Sequence, residues 1–241
     1  MGSFWLEALT LGVASGLFFW ARRLEGLHLG SLVEPVRVVA AVLIALVLLR
    51  VLVVEPFEGV GPSMMPTLAE RSKVLVDKSA YGWRLPGGLW VWRRSPPLPG
   101  DVVVFEGRNA QRREELLLKR VVAVPGDEVR VEGERVFVNG EPLEAAPEPE
   151  AMPAGAALEP WSASALGHPH RVYLKAGLHL PSPEIVTWQV PAGYVFVVGD
   201  NRVASYDSRD FGPVPQNRVI GRVIGVWRNG DLERVDIPGI P

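Results

Sequence analysis

Cysteine is absent from the chain. That excludes disulfides, thiolate nucleophiles and Cys-ligated zinc together. It does not fix a compartment, because an exported domain with a large core holds together without disulfides. Histidine is scarce, with four residues in 241. Three of them, His168, His170 and His179, share one loosely spaced stretch, LGHPHRVYLKAGLH, which reads as a solvated loop and not as a metal site. No metal and no cofactor is expected. A strong charge of one sign is also missing, since 25 basic and 27 acidic residues leave a net charge of -2. Without a basic field to gather phosphates, nucleic acid is not an expected partner.

What the chain does have is apolar sequence, at 48% of residues. Two apolar runs open it, residues 4–20 (FWLEALTLGVASGLFFW) and residues 38–54 (VVAAVLIALVLLRVLVV). Each approaches the ~20 residues a helix needs to cross a ~30 Å hydrocarbon core. The second holds a single charge, Arg50, near one end, where a long side chain reaches the interface. The first carries Glu7, Thr10 and Ser15 and is the weaker span, so one or two transmembrane helices are expected. A cleavable signal peptide competes for this run, but no basic segment precedes it. The loop at 21–37 contains Arg22, Arg23 and Arg37, which places it on the cytoplasmic side and everything after Val54 outside. Residues 1–54 thus read as a membrane anchor, with lipid as a partner.

After Glu55-Pro56 the texture changes to short β-prone segments punctuated by Gly and Pro. Strands are predicted at 73–76, 101–105, 116–124, 128–131, 135–138, 194–198 and 218–227. No long stretch keeps a helical period. The fold class is mainly β, a curled antiparallel or barrel-like sheet built from 55–140 and 191–241. The Pro- and Ala-rich stretch 141–190 reads as an irregular insertion or small subdomain. Residues 81–92 (YGWRLPGGLWVW) either pack into the core or dip into a membrane interface, where tryptophan is favoured.

Two residues carry candidate chemistry. Ser63 lies between Gly61, Pro62 and Pro66, an irregular backbone suited to presenting a hydroxyl and free N–H groups. Spacing alone favours an ordinary turn serine. Nine steps from Val54 span at most ~30 Å, so a reaction at Ser63 would take place near the membrane surface. A serine nucleophile needs a base. No histidine sits where a base is needed, and Lys119 is the alternative. On a strand it shares a face with Leu117, Val121 and Ala123, where desolvation favours the neutral amine. Taken alone, an edge-strand lysine reaching water is an equal reading.

Four ordered motifs then resemble the bacterial type I signal peptidases, also called leader peptidases. They are Ser-Met-Met-Pro-Thr-Leu (63–68), Pro-Gly-Asp-Val-Val-Val-Phe (99–105), Lys-Arg-Val-Val-Ala-Val-Pro-Gly-Asp (119–127) and Gly-Asp-Asn-Arg-Val-Ala-Ser-Tyr-Asp-Ser-Arg-Asp-Phe-Gly-Pro-Val-Pro (199–215). The resemblance implies a Ser/Lys endopeptidase that removes signal peptides from exported preproteins, cleaving after small residues at -3 and -1. It implies a multi-pass protein of the bacterial plasma (inner) membrane, with its catalytic domain on the extracytoplasmic face and the protein-export machinery as a further partner. Ser63 is then the nucleophile and Lys119 the base. Ser205 orients the lysine, and Asp207 with Arg209 forms a structural ion pair. Phe57 and Val60 line the substrate pocket. Some members carry a serine two residues before the nucleophile, where this chain has Gly61. The oxyanion site then rests on the Ser63 backbone N–H, assisted by water or the Gly61 backbone. Two rival readings remain, a self-cleaving repressor-type Ser/Lys protease and a catalytically inactive membrane-tethered β scaffold.

Overall fold

The computed structural model describes residues 12, 16, 35–45, 53–59, 61–84, 90–93, 95–148, 157–165, 167–177, 184–228 and 231–234. The chain divides into two compact units, Met1–Glu55 and Pro56–Pro241. In the first, residues 35–45 are helical, with Val38, Val39 and Val42 exposed. Among the described residues no helix is long and apolar enough to cross a membrane. The predicted span at 4–20 lies outside the described residues save positions 12 and 16. The predicted end of the second span is corrected, because Val54 already belongs to a strand.

In chain order the first strands are β1 (Val54–Glu58), β2 (Lys73–Asp77), β3 (Gly82–Arg84), β4 (Trp90–Arg93), β5 (Val102–Arg108) and β6 (Glu114–Ala123). Next come β7 (Glu128–Glu132), β8 (Arg135–Val138), β9 (Glu141–Pro142), β10 (Glu144–Pro147), β11 (Leu158–Ala165) and β12 (His168–Lys175). The last are β13 (Ile185–Gln189), β14 (Tyr194–Val198), β15 (Val214–Pro215), β16 (Val219–Arg228) and β17 (Asp231–Arg234). The main sheet runs β1-β2-β16-β5-β6-β14-β15, with β17 on β16. Its register-assigned pairs are antiparallel. The expected barrel does not close: among the described residues no pairing joins β1 to β15, and the sheet stays open.

The alternating and continuous valine runs explain this layout. β5 opens with four buried residues, Val102 to Phe105, and β6 is buried on both faces from Lys119 onward. A strand buried on both sides reads as a continuous apolar run. One apolar cluster packs Val103, Phe105, Leu117, Val121 and Val197, and a second packs Met64, Leu68, Val74, Val76, Val102 and Val104. The second cluster pins the segment around Ser63 to the sheet.

Of the two readings of 141–190, an irregular insertion or a small subdomain, the described strands run against the first. The stretch holds β9 to β13, including a three-stranded sheet β10-β11-β12 in which β11 and β12 pair over eight residues each. Prolines such as Pro160 and Pro169 hid the alternation of Trp161, Ala163 and Ala165, which are all buried. His168 and His170 sit on β12, not in a loop, and His179 lies outside the described residues. Over the 81–92 segment, β3 and β4 pair antiparallel, Gly82 with Arg93 and Trp83 with Trp92. Tyr81 before β3 is buried, whereas Trp92 is 56% exposed, so neither the core nor the interface reading covers the whole segment.

Candidate active site

The segment bearing Ser63 is a set of tight turns from Ser63 to Thr67. Gly61 precedes it with φ of 103°, a left-handed backbone that only glycine adopts without strain. Met64 and Leu68 are buried four residues apart, and the Leu68 N–H donates to the Met64 carbonyl at 2.9 Å. This puts the apolar side of the turn into the core and leaves Ser63 half-buried at the surface of the sheet. The Asn201 N–H donates to the Ser63 carbonyl at 3.0 Å, so the turn is also held from the 199–202 loop.

Lys119 lies on β6 opposite Val103 of β5 and is 3% exposed. Its Nζ stands 2.9 Å from Ser63 Oγ and donates to the Leu118 carbonyl at 2.8 Å. Burial pushes its pKa down to about 8 from an ordinary 10.5. Asp207, then Glu115, pull it partly back up, while Arg209 opposes them. The desolvation follows from the strand: Leu117 and Val121, the neighbours on the same face, belong to the core.

Asp207 and Arg209 form a buried two-pronged pair, at 2.8 and 2.9 Å. Asp207 also caps the short helix Ser208–Phe211 and accepts from the Gly199 N–H at 2.9 Å. Burial alone would raise its carboxyl, yet the Arg209 charge and hydrogen bonds hold it below the ordinary carboxylate range. Ser205 Oγ is buried beside Asp207, whose carboxylate charge it favours, and makes no hydrogen bond to Lys119. Gly199 explains the crowding: a Cβ there would meet Ser205 Oγ at 2.2 Å and the Ser63 carbonyl oxygen at 2.6 Å.

A cleft of about 340 Å³ opens beside the pair, lined by Phe57, Gly59, Gly61, Ser63, Met64, Leu68, Leu118 and Lys119 among others. Phe57 is thus a wall of the cleft, and Val60 lies outside the described residues. Glu58 and Glu115 stand at its rim. The arrangement offers a hydroxyl, an amine near neutrality and an extended cleft along β1 and β6. That is the equipment for general-base-assisted attack on a carbonyl held in the cleft.

Sequence reasoning missed a second buried pair next to the first. Arg120 binds Asp200 through two prongs, at 2.9 and 2.8 Å, and donates to the Gly100 carbonyl at 2.9 Å. Thr67 Oγ1 donates to Asp200 Oδ2 at 2.5 Å. The signal was available: Arg120 follows Lys119 and must face the other side of β6, where a buried arginine demands a carboxylate. A third buried pair, Arg202 with Glu144, ties the 199–202 loop to β10. His170 is largely buried near Arg120 and Asp200, and burial foremost, aided by Arg120, pushes its pKa down to about 4.

Comparison with known proteins gives one answer. The family model described as "Signal peptidase, peptidase S26" matches residues 32–228. The chain is 35% identical over 201 residues to "Signal peptidase I" of Pseudomonas fluorescens, covering 77% of this chain and 69% of that protein. It is 29% identical over 213 residues to "Signal peptidase I" of Leptolyngbya laminosa, covering 83% and 84%. It is 29% identical over 166 residues to "Signal peptidase I V" of Bacillus subtilis (strain 168), covering 67% and 78%.

Proposed function

The chain belongs to the signal peptidase family, peptidase S26, and on that premise we propose that it is a membrane-bound serine endopeptidase that removes signal peptides with a Ser63/Lys119 dyad. The observation that carries the dyad is the 2.9 Å separation of Lys119 Nζ from Ser63 Oγ at a buried lysine whose pKa is about 8. The neutral amine takes the Ser63 proton as Oγ attacks the scissile carbonyl. The C–N bond then breaks, and the ammonium returns its proton to the leaving amine. A water next attacks the Ser63 ester carbonyl, giving a proton to Lys119; the C–Oγ bond breaks, the ammonium returns that proton to Ser63 Oγ, and the carboxyl product leaves. The Ser63 backbone N–H serves the developing oxyanion, and the left-handed Gly61 keeps that side of the turn free of a side chain.

We assign the specificity for small residues at -3 and -1 to the apolar walls of the cleft, Phe57, Met64, Leu68 and Leu118, against which a substrate's extra methylenes would clash. The apolar sequence ahead of β1 supplies the anchor, and the catalytic unit works on the extracytoplasmic face of the bacterial plasma membrane. The test uses the full chain in detergent with a preprotein, alongside Ser63→Ala and Lys119→Ala. Wild type cuts at the signal-peptide junction, and each variant loses activity by about 10³-fold or more. Full activity in either variant would refute the dyad.

A further inference from the structure

Ser63 and Lys119 come from segments 56 residues apart in sequence. Something must fix their separation to a fraction of an ångström, because misplacement of about 1 Å costs on the order of 10²-fold in rate. The turn bearing Ser63 is held at both ends by two consecutive residues. Asn201 N–H binds the Ser63 carbonyl at 3.0 Å, and the Asp200 carboxylate takes the Thr67 hydroxyl at 2.5 Å. The same carboxylate grips Arg120 by two hydrogen bonds, and Arg120 is the residue next to Lys119. Arg120 also reaches Thr67 Oγ1 at 3.3 Å. Arg120 and Asp200 are 3% and 1% exposed, so solvent does not weaken these bonds.

We propose that Thr67, Asp200 and Arg120 form a positioning clamp, in which the Thr67 hydroxyl holds the nucleophile turn at reacting distance from Lys119. None of the three lines the cleft. Asp200 and Arg120 serve two masters, the β6 backbone and the turn, and removing either leaves a buried unpaired charge that threatens the fold. Thr67 is the separable member. Its hydroxyl is the side-chain link from the turn to the carboxylate, and valine copies its shape without the donor.

This inference rests on the Ser63/Lys119 pair being the catalytic one. The experiment compares Thr67→Val and Thr67→Ser with wild type in the full-length protein, by steady-state kinetics on a signal-peptide substrate and by NMR titration of the Lys119 side-chain amine. Thr67→Val is expected to lower kcat by about 10- to 100-fold with KM changed less than about twofold, since the cleft walls are untouched. A turn that drifts off Lys119 admits water, so the lysine titrates at higher pH than in wild type. Thr67→Ser restores the donor and returns both readouts close to wild type. Equal losses in Val and Ser would assign the effect to the methyl group and overturn the clamp, as would a Val variant with wild-type kcat and lysine titration. If wild type fails to cut the substrate while the titration still moves in Val and not in Ser, the peptidase reading falls and the clamp stands.

Discussion

The burial of Lys119 makes a quantitative statement about rate against pH. With a pKa of about 8, roughly one lysine in ten is neutral at pH 7. At its ordinary value of 10.5 the neutral fraction at pH 7 would be roughly 300-fold smaller. The active fraction therefore rises about tenfold between pH 7 and pH 9 and then levels off. The assay is kcat/KM on a signal-peptide substrate across this range, in a buffer series of constant ionic strength. Glu115 at the cleft rim, one of the groups that raise the pKa, provides the perturbation. Glu115→Gln removes a carboxylate that stabilises the ammonium, so the midpoint moves to lower pH and activity at pH 7 rises. Because Glu115 is exposed, solvent screens it and the displacement stays well under that produced by burial. A rate that keeps climbing tenfold per unit through pH 10 would mean that Lys119 is not desolvated. A flat profile with single-turnover kinetics, in which product release plays no part, would remove Lys119 as the base.

Two other outcomes follow from the same packing. Lys119 is costly to the fold: its folded pKa is depressed, so between about pH 8 and 10.5 the unfolded chain binds more protons than the folded one, and stability rises with pH across that window. Below the window the cost of burying the ammonium is fully present, and Lys119→Met should therefore stabilise the catalytic unit at pH 7 by roughly 1–3 kcal/mol in urea denaturation while abolishing activity. Gly199→Ala drives a methyl to 2.2 Å from Ser205 Oγ and 2.6 Å from the Ser63 carbonyl oxygen. It should cost about 1–3 kcal/mol in thermal unfolding and lower kcat by displacing the nucleophile turn, and a variant with wild-type kcat would show that the turn tolerates the shift.

The strands that were legible, in the main sheet and in the β13-β7-β8-β9 sheet alike, carry short valine-rich runs bounded by turn residues. Strands predicted at 128–131, 135–138 and 194–198 appear as Glu128–Glu132, Arg135–Val138 and Tyr194–Val198. β5 was set slightly short, ending at Phe105 and not Arg108, because Glu106, Gly107 and Arg108 carry no apolar pattern and are kept in the strand by pairing with Glu114 to Leu116. The 141–190 sheet was illegible for the opposite reason. β11 and β12 contain proline and histidine, and what makes them strands is their mutual pairing and the burial of Trp161, Val172 and Leu174. Cross-strand packing of that kind overrides the propensity of the individual residues.

At the site, periodicity went further than motif reading. The period-two argument placed Lys119 on an apolar face, and its desolvation is what lowers the pKa. Applied one residue further, the same argument puts the Arg120 guanidinium on the opposite face, inside a strand buried on both sides. A buried cation needs a buried anion, and Asp200 stood in the Gly-Asp-Asn motif unassigned to any task. What no periodicity could give is which hydroxyl completes the arrangement. Ser205 was expected to hold the lysine and does not bond it, while Thr67, four residues past the nucleophile, reaches the carboxylate that Arg120 neutralises. The difference is set by how the 199–202 loop folds onto the turn, a tertiary contact made possible by a glycine with no room for a methyl. Catalytic side chains of the proposed dyad are thus readable from local chemistry, whereas the groups that fix their distance belong to the packing between distant segments.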